Sequence, residues 1–180
     1  DTKMQPQLPI EVNETTGVWT TDKLPMIYVP RHFFVNNHVE TEAVVGREVY
    51  APALYKAGYR SAYFWCQQES ATHGLTGMAV YEHYLKRLSQ RGWGLFKFIS
   101  ADATTGHAQI QLDHWVFVLA QGIAGVPVDR SKVCYLFAGW FSGAMDWVLE
   151  TSGSAVRTTS TETQCAAEGH AHCVFTVSPL

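Results

Sequence analysis

Charge is scarce in this chain. Asp, Glu, Lys and Arg together make up 16% of its 180 residues, and the net charge is −3. The basic residues are scattered, with no cluster larger than the neighbours Lys86 and Arg87. Nucleic-acid binding through phosphates needs a basic stripe, so it finds no support. Long hydrophobic runs are missing as well. The most apolar window, Val133 to Leu149, is shorter than the roughly 20 residues that span a bilayer, and it carries Asp146. No basic and then apolar leader opens the chain, so a cytoplasmic protein without membrane partners is expected. Fingerprint loops are lacking too: there is no Gly-x-Gly-x-x-Gly, no P-loop and no Gly-x-Ser-x-Gly elbow. The common dinucleotide, nucleotide and acyl-transfer enzymes are thereby disfavoured.

What is present is apolar and aromatic. The hydrophobic fraction is 47%, with six Trp, eight Tyr and nine Phe, enough for one domain with a ring-rich core. Residues 1–45 read as an extension wrapping that core. Pro6, Pro9, Pro25 and Pro30 interrupt it, and Met26 to Val29 is strand-like. Its aromatic stretch Arg31 to His38 carries two histidines, for which a structural role is expected. Residues 46–180 form the main domain. Tyr50, Leu54, Ala57, Ser61 and Trp65 recur every three or four residues and predict a helix from Arg47 to about Ala71. A second helix, Gly77 to Arg91, buries Met78, Tyr81, Leu85 and Leu88, with Thr76 as its cap and Gly92 as its stop.

Strands Gly94 to Ser100 and His107 to about Val118 follow, joined by a turn-rich Asp102 to Gly106 link. Ala108, Ile110, Leu112 and His114 share one face of the second strand. A third helix runs from about Ser131 to Glu150, and its Gly139 and Gly143 suit close packing against a sheet or another subunit. Ala155 to Gln164 and Cys173 to Val177 are β-prone. The order predicts an α+β fold: two helices, a hairpin, a helix and a hairpin.

Chemistry concentrates near the C-terminus. Glu162-x2-Cys165-x7-Cys173 (ETQCAAEGHAHC), together with Cys134, has the residue types of a zinc site. Residues three apart in an unbroken strand face opposite sides, so the strand has to bend or end between Glu162 and Cys165. Three thiolates and a carboxylate exceed the charge of a divalent ion, so loop N–H groups, His170 or His172 are expected to offset it. Four protein ligands make the site structural, with no open position. Other readings stay open at this point: His170 or His172 in place of Glu162, a Cys165–Cys173 disulfide, or incidental core cysteines. Cys66, inside the run Tyr63-Phe64-Trp65, reads as a buried, unreactive thiol.

Cys134-Tyr-Leu-Phe-Ala-Gly139-Trp140-Phe-Ser-Gly143, followed by Glu162, Cys165, Gly169, Cys173 and Phe175, resembles the 4-vinyl reductase domain family. The pattern is similar to the sensor domains of bacterial phenol- and xylene-responsive activators. LPMIYVPRHFFVNNH resembles small stand-alone bacterial members. The resemblance spans residues 47–178 in order of elements and is specific from Cys134 onward. It implies zinc held by Cys134, Glu162, Cys165 and Cys173 beside a buried pocket for an aromatic molecule, in a homodimer. Two departures stand out. The link around Thr151 to Arg157 is longer, and Leu112-Asp113-His114-Trp115 replaces the sensors' Trp-Asn-Asn-Ser. No ATPase or DNA-binding module follows Leu180, so direct activation of transcription is not expected.

The leading expectation is a zinc-stabilised protein binding a hydrophobic or aromatic hydrocarbon, with Phe64, Tyr81, Trp93, Phe96, His114 and Trp115 around the ligand and His114 as its polar contact. Two alternatives belong to other classes. One is a tetrapyrrole vinyl reductase or carrier, for which a Cys66–His73 pair is the one conceivable nucleophile. The other is a dimeric scaffold like the vesicle-tethering subunits that share this fold.

Overall fold

In the computed structural model, which describes residues 8–116 and 134–180, two antiparallel sheets and four helices build an α+β chain. A small meander comes first: β1 (Glu11–Asn13), β2 (Val18–Thr21) and β3 (Leu24–Met26). Asn13 starts its first turn by accepting the Thr15 and Thr16 amides on Oδ1, at 3.0 Å each. Asp22 and Lys23 form the second turn, both left-handed (φ 52° and 67°). The strand expected at Met26 to Val29 ends at Met26, and Ile27 and Tyr28 are exposed.

The extension is not the irregular wrap that the sequence suggested. Pro30 opens helix α1 (Arg31–Val45), which Gly46 closes at φ 82°. Its periodicity is easily missed, because Val35 and His38 are its buried residues, with Phe34 and Val39 packed beside them. The rest of its surface is polar or exposed, so most of its length carries no apolar signal. The expected structural role of the histidines falls to His38, 3.1 Å from Glu42 and stacked on Tyr135. Arg31 ties the helix to the main domain by donating to the carbonyls of Gly92 and His114.

Helix α2 (Arg47–His73) forms as expected, but its buried stripe is displaced. Ala57 and Ser61 are exposed, while Gly58, Ala62, Trp65, Cys66 and Glu69 face inward. Helix α3 (Met78–Gln90) starts at Gly77 without a side-chain cap, so Thr76 does not serve as one. Then come β4 (Leu95–Asp102) and β5 (His107–Asp113), and later helix α4 (Tyr135–Thr151) with strands β6 (Thr158–Gln164) and β7 (Cys173–Pro179). Strand order is β4-β5-β7-β6, every pair antiparallel. β5 stops short of Val118 because His114 turns the chain at φ 53°, which leaves its side chain exposed and off the Ala108–Ile110–Leu112 face. Ser131 to Val133 and the loop from Gly122 to Arg130 lie outside the described residues.

Helix α4 is the central element, buried from Phe137 to Leu149. One side meets the sheet and the other meets α2. A Cβ on Gly139 would fall within 2.0 Å of the Tyr55 carbonyl oxygen, and one on Gly143 within 2.3 Å of the Tyr59 oxygen. Gly58 on α2 reciprocates, with the Leu136 oxygen 2.4 Å from its Cβ position. The glycines therefore serve a helix–helix contact inside the chain, not the sheet or subunit contact expected. Tyr55, Tyr59 and Tyr63, four residues apart on α2, finish the junction by hydrogen bonding to Ser160, Asp146 and Glu150. Among the described residues no helix is long and apolar enough to cross a membrane.

Candidate functional site

A β-bulge brings the C-terminal donors together. Glu162 pairs with Phe175 and Gln164 with Val174, so Thr163 is an extra residue on β6. That insertion reverses the alternation once, which lets Glu162 and Cys165 turn to the same face despite lying three apart. Continuing the register sets Cys165 against Cys173, the first residue of β7, and their sulfurs stand 3.9 Å apart. Cys134 arrives from the N-cap of α4, making no capping bond with its own side chain. All three sulfurs lie within 4.8 Å of one another, and all three residues are buried.

The distances distinguish the readings left open above. A disulfide needs sulfurs about 2.05 Å apart, and all four cysteines are free thiols. Two thiolates on one tetrahedral zinc, with bonds of about 2.3 Å, stand about 3.8 Å apart. His170 is exposed, and His172 Nδ1 lies 4.0 Å from Asp113 Oδ1, so neither imidazole joins the sulfurs. The expected compensation comes from the loop backbone: the Ala166 N–H donates to the Cys173 sulfur at 3.2 Å.

The electrostatics of the cluster suit a cation. The Cys173 thiol is pushed down to about 5, chiefly by hydrogen bonding from the Cys134 and Cys165 thiols, with the Ala166 amide adding to them. Burial drives the Cys134 thiol well above its usual range. Burial and the neighbouring Cys165 sulfur push the Glu162 carboxyl up to about 9. Both of its oxygens are buried, with the Cys134 and Cys165 thiols as their polar neighbours. An unsatisfied buried carboxylate costs several kcal/mol, roughly, unless a charge partner arrives. Three sulfurs within 4.8 Å of one another fit a thiophilic ion, and the Glu162 carboxyl lies beside Cys134 and Cys165 but outside that mutual set.

The aromatic residues fall into two groups. Trp93, Phe96 and Trp115 all pack their rings on Phe137, at centroid distances of 6.0, 5.9 and 6.2 Å. Trp140 meets Trp93 at 5.0 Å, and Phe34 covers Trp93 from α1. Tyr81 is buried nearby, its hydroxyl donating to the Phe141 carbonyl. Phe64, by contrast, is 53% exposed on the outer side of α2, and His114 is exposed beyond β5. A cleft of about 670 Å3 opens between α2, α4 and β6, with Tyr55, Tyr59, Cys134, Ala138, Ser160 and Glu162 among its walls.

The imagined Cys66–His73 pair does not form. Cys66 is fully buried, its thiol driven upward by burial, while His73 faces Asp22 and Glu69. Sequence reasoning also missed Phe137 and Trp140, which root the ring cluster. Their three-residue spacing directly after Cys134 was the available signal.

The chain belongs to the family described as "Domain of unknown function (DUF5943)", whose pattern matches residues 4–99. No curated protein matches it. Among solved structures, it is similar to the phenol-responsive sensory domain of the transcription activator PoxR with phenol. That likeness has TM-score 0.78 at 14% identity and covers 94% of this chain and 84% of that one. It is also similar to subunit 3 of a trafficking protein particle complex from Naegleria fowleri, covalently bound to palmitic acid (TM-score 0.57, 13% identity, 83% and 95% covered). A vinyl-4-reductase family protein from Methanocaldococcus jannaschii matches with TM-score 0.52 at 13% identity, covering 86% and 84%. The fold is thus the one these proteins share, as the C-terminal pattern implied.

Proposed function

We propose that this member of the DUF5943 family is a zinc-stabilised binding domain for an apolar, aromatic small molecule. Cys134, Glu162, Cys165 and Cys173 hold the ion, which clamps the start of α4 to the β6–β7 hairpin. Phe137 and Trp140 sit in the next turn and a half of α4, so the clamp also fixes the ring cluster. The ligand site comprises Trp93, Phe96 and Trp115 with those two rings, and Tyr81 stands at its edge. The observation that carries the reading is this cluster of rings, packed mostly edge to face, rooted immediately after a metal-ligand position. Two proteins of similar fold are described with phenol and with palmitic acid, which supports an apolar guest. Three reduced thiols reserved for an ion suit a reducing compartment, in keeping with a cytoplasmic location.

The test is calorimetric titration of the zinc-loaded protein with phenol, xylene and palmitate, alongside tryptophan fluorescence. Saturable binding of one of them, with a change in Trp emission, is expected. Absence of binding by all three would overturn the reading. We propose a homodimer as well, favoured by the exposed apolar residues Ile27, Tyr28, Val44, Val49 and Phe64. Light scattering that gives a monomer mass at micromolar concentration would refute it.

A further inference from the structure

A second donor cluster lies where the N-terminal meander meets the facing ends of α2 and α3. Asp22 comes from the β2–β3 turn, Glu69 and His73 from successive turns of α2, and His83 from α3. One ligand atom from each lies within 4.8 Å of all the others. His73 Nε2 is 3.1 Å from Asp22 Oδ1 and 3.5 Å from Glu69 Oε2, and His83 Nε2 is 3.0 Å from Glu69 Oε1.

We propose that Asp22, Glu69, His73 and His83 form a second binding site, for a divalent transition-metal ion of the zinc or iron class. Glu69 is completely buried, and its Oε2, aimed into the cluster, has only the long 3.5 Å approach of His73 and the neighbouring Asp22 carboxyl as polar company. Arg87 supplies a guanidinium to Asp22 but does not ion-pair with Glu69, and a divalent ion between the two carboxylates would balance the buried one as well. Two imidazole nitrogens with two carboxylate oxygens form a harder set than the thiol centre.

The surroundings hold each donor in place. Arg87 grips both Asp22 oxygens, at 3.0 and 3.2 Å, which fixes the carboxylate. The two left-handed residues of the turn carry backbone strain to bring it there. Trp65 stacks on the His83 ring at 5.4 Å and 27°. His73 keeps a third of its side chain exposed, so an ion reaches the site from solvent without unfolding the chain. The four donors lie within the stretch that the DUF5943 pattern matches, and the cysteine centre lies beyond it.

Native mass spectrometry of the full chain with added Zn2+ tests the proposal. Two zinc ions per chain are expected in the wild type. His73→Ala and Glu69→Gln should each retain one, with affinity for the other weakened more than about 100-fold, beyond what loss of an outer partner costs. Co2+ added to protein carrying a single equivalent of zinc should quench tryptophan emission through Trp65, and His73→Ala should abolish that quenching. His73→Ala alters a partly exposed side chain, so it tests the idea even if Glu69→Gln fails to fold. A single zinc in the wild type that survives His73→Ala but not Cys173→Ser would overturn the proposal and leave an ion-pair network alone. Loss of zinc only from the thiol centre would instead leave this site standing and refute the C-terminal one.

Discussion

Tyr59 on α2 donates a 2.5 Å hydrogen bond to Asp146 on α4, whose other carboxylate oxygen accepts both the amide and the hydroxyl of Thr158 on β6. One buried carboxylate thus joins three elements. Burial first, and the hydrogen bond to Asp146 second, drive the Tyr59 phenol far above its ordinary value of 10.0. An acid held neutral in the fold but free to ionise when unfolded contributes stability that is complete below pH about 10 and declines above it. Alkaline unfolding should therefore begin above that pH, and Tyr59→Phe should shallow the slope. The same change leaves Asp146 Oδ2 without a donor, at a cost of about 1–3 kcal/mol near neutrality. Urea melts at pH 7 and pH 11 measure both effects.

Chelation should expose three thiols and spare the fourth. With zinc bound, a thiol reagent is expected to label no cysteine rapidly. After chelation Cys134, Cys165 and Cys173 should react, while buried Cys66, outside the centre, stays slow. Cys173→Ser should lose the ion and about 4 kcal/mol or more, which is a fall of about 8–16 °C in Tm for a chain of this size. An unchanged metal content would dismiss Cys173 as a ligand.

Gly139→Ala should damage the α2–α4 junction, because its methyl would meet backbone and not a flexible side chain. Overpacking of this kind costs about 1–3 kcal/mol and sometimes more, so a Tm drop of about 2–12 °C is expected. Gly153→Ala, with open space around it but φ 87°, should cost only the smaller backbone strain. Calorimetry of the two variants gives the comparison.

Ligand affinity should separate the two groups of aromatics. Trp93→Leu is expected to weaken aromatic binding about 5- to 30-fold, as loss of a ring contact of about 1–2 kcal/mol implies. Phe64→Ser, on the outer side of α2, should leave it unchanged. Equal effects from both would place the guest elsewhere.

Local spacing made α2, α3, α4 and the C-terminal hairpin legible, since each has either a helical repeat or a run of β-branched residues with clear stops. Donor chemistry made the cysteine centre legible as well, including the requirement for a break in β6. Helix α1 was hidden because it buries so little of itself. The stripe on α2 was misplaced by one position for a related reason. Its partner is a glycine face, so the small residues Gly58 and Ala62 point inward and leave Ala57 and Ser61 outside.

The amino-acid order by itself determined which segments are helix or strand and which atoms are capable of holding a soft cation, because both depend on residues near one another or on side-chain chemistry. Tertiary structure decided what those segments touch. It set the Gly139 face against Tyr55 and turned His114 to the surface. It also assembled Asp22, Glu69, His73 and His83 from three elements. Such meetings depend on how strands, helices and a two-residue turn are oriented in space, and no periodicity along the chain encodes that.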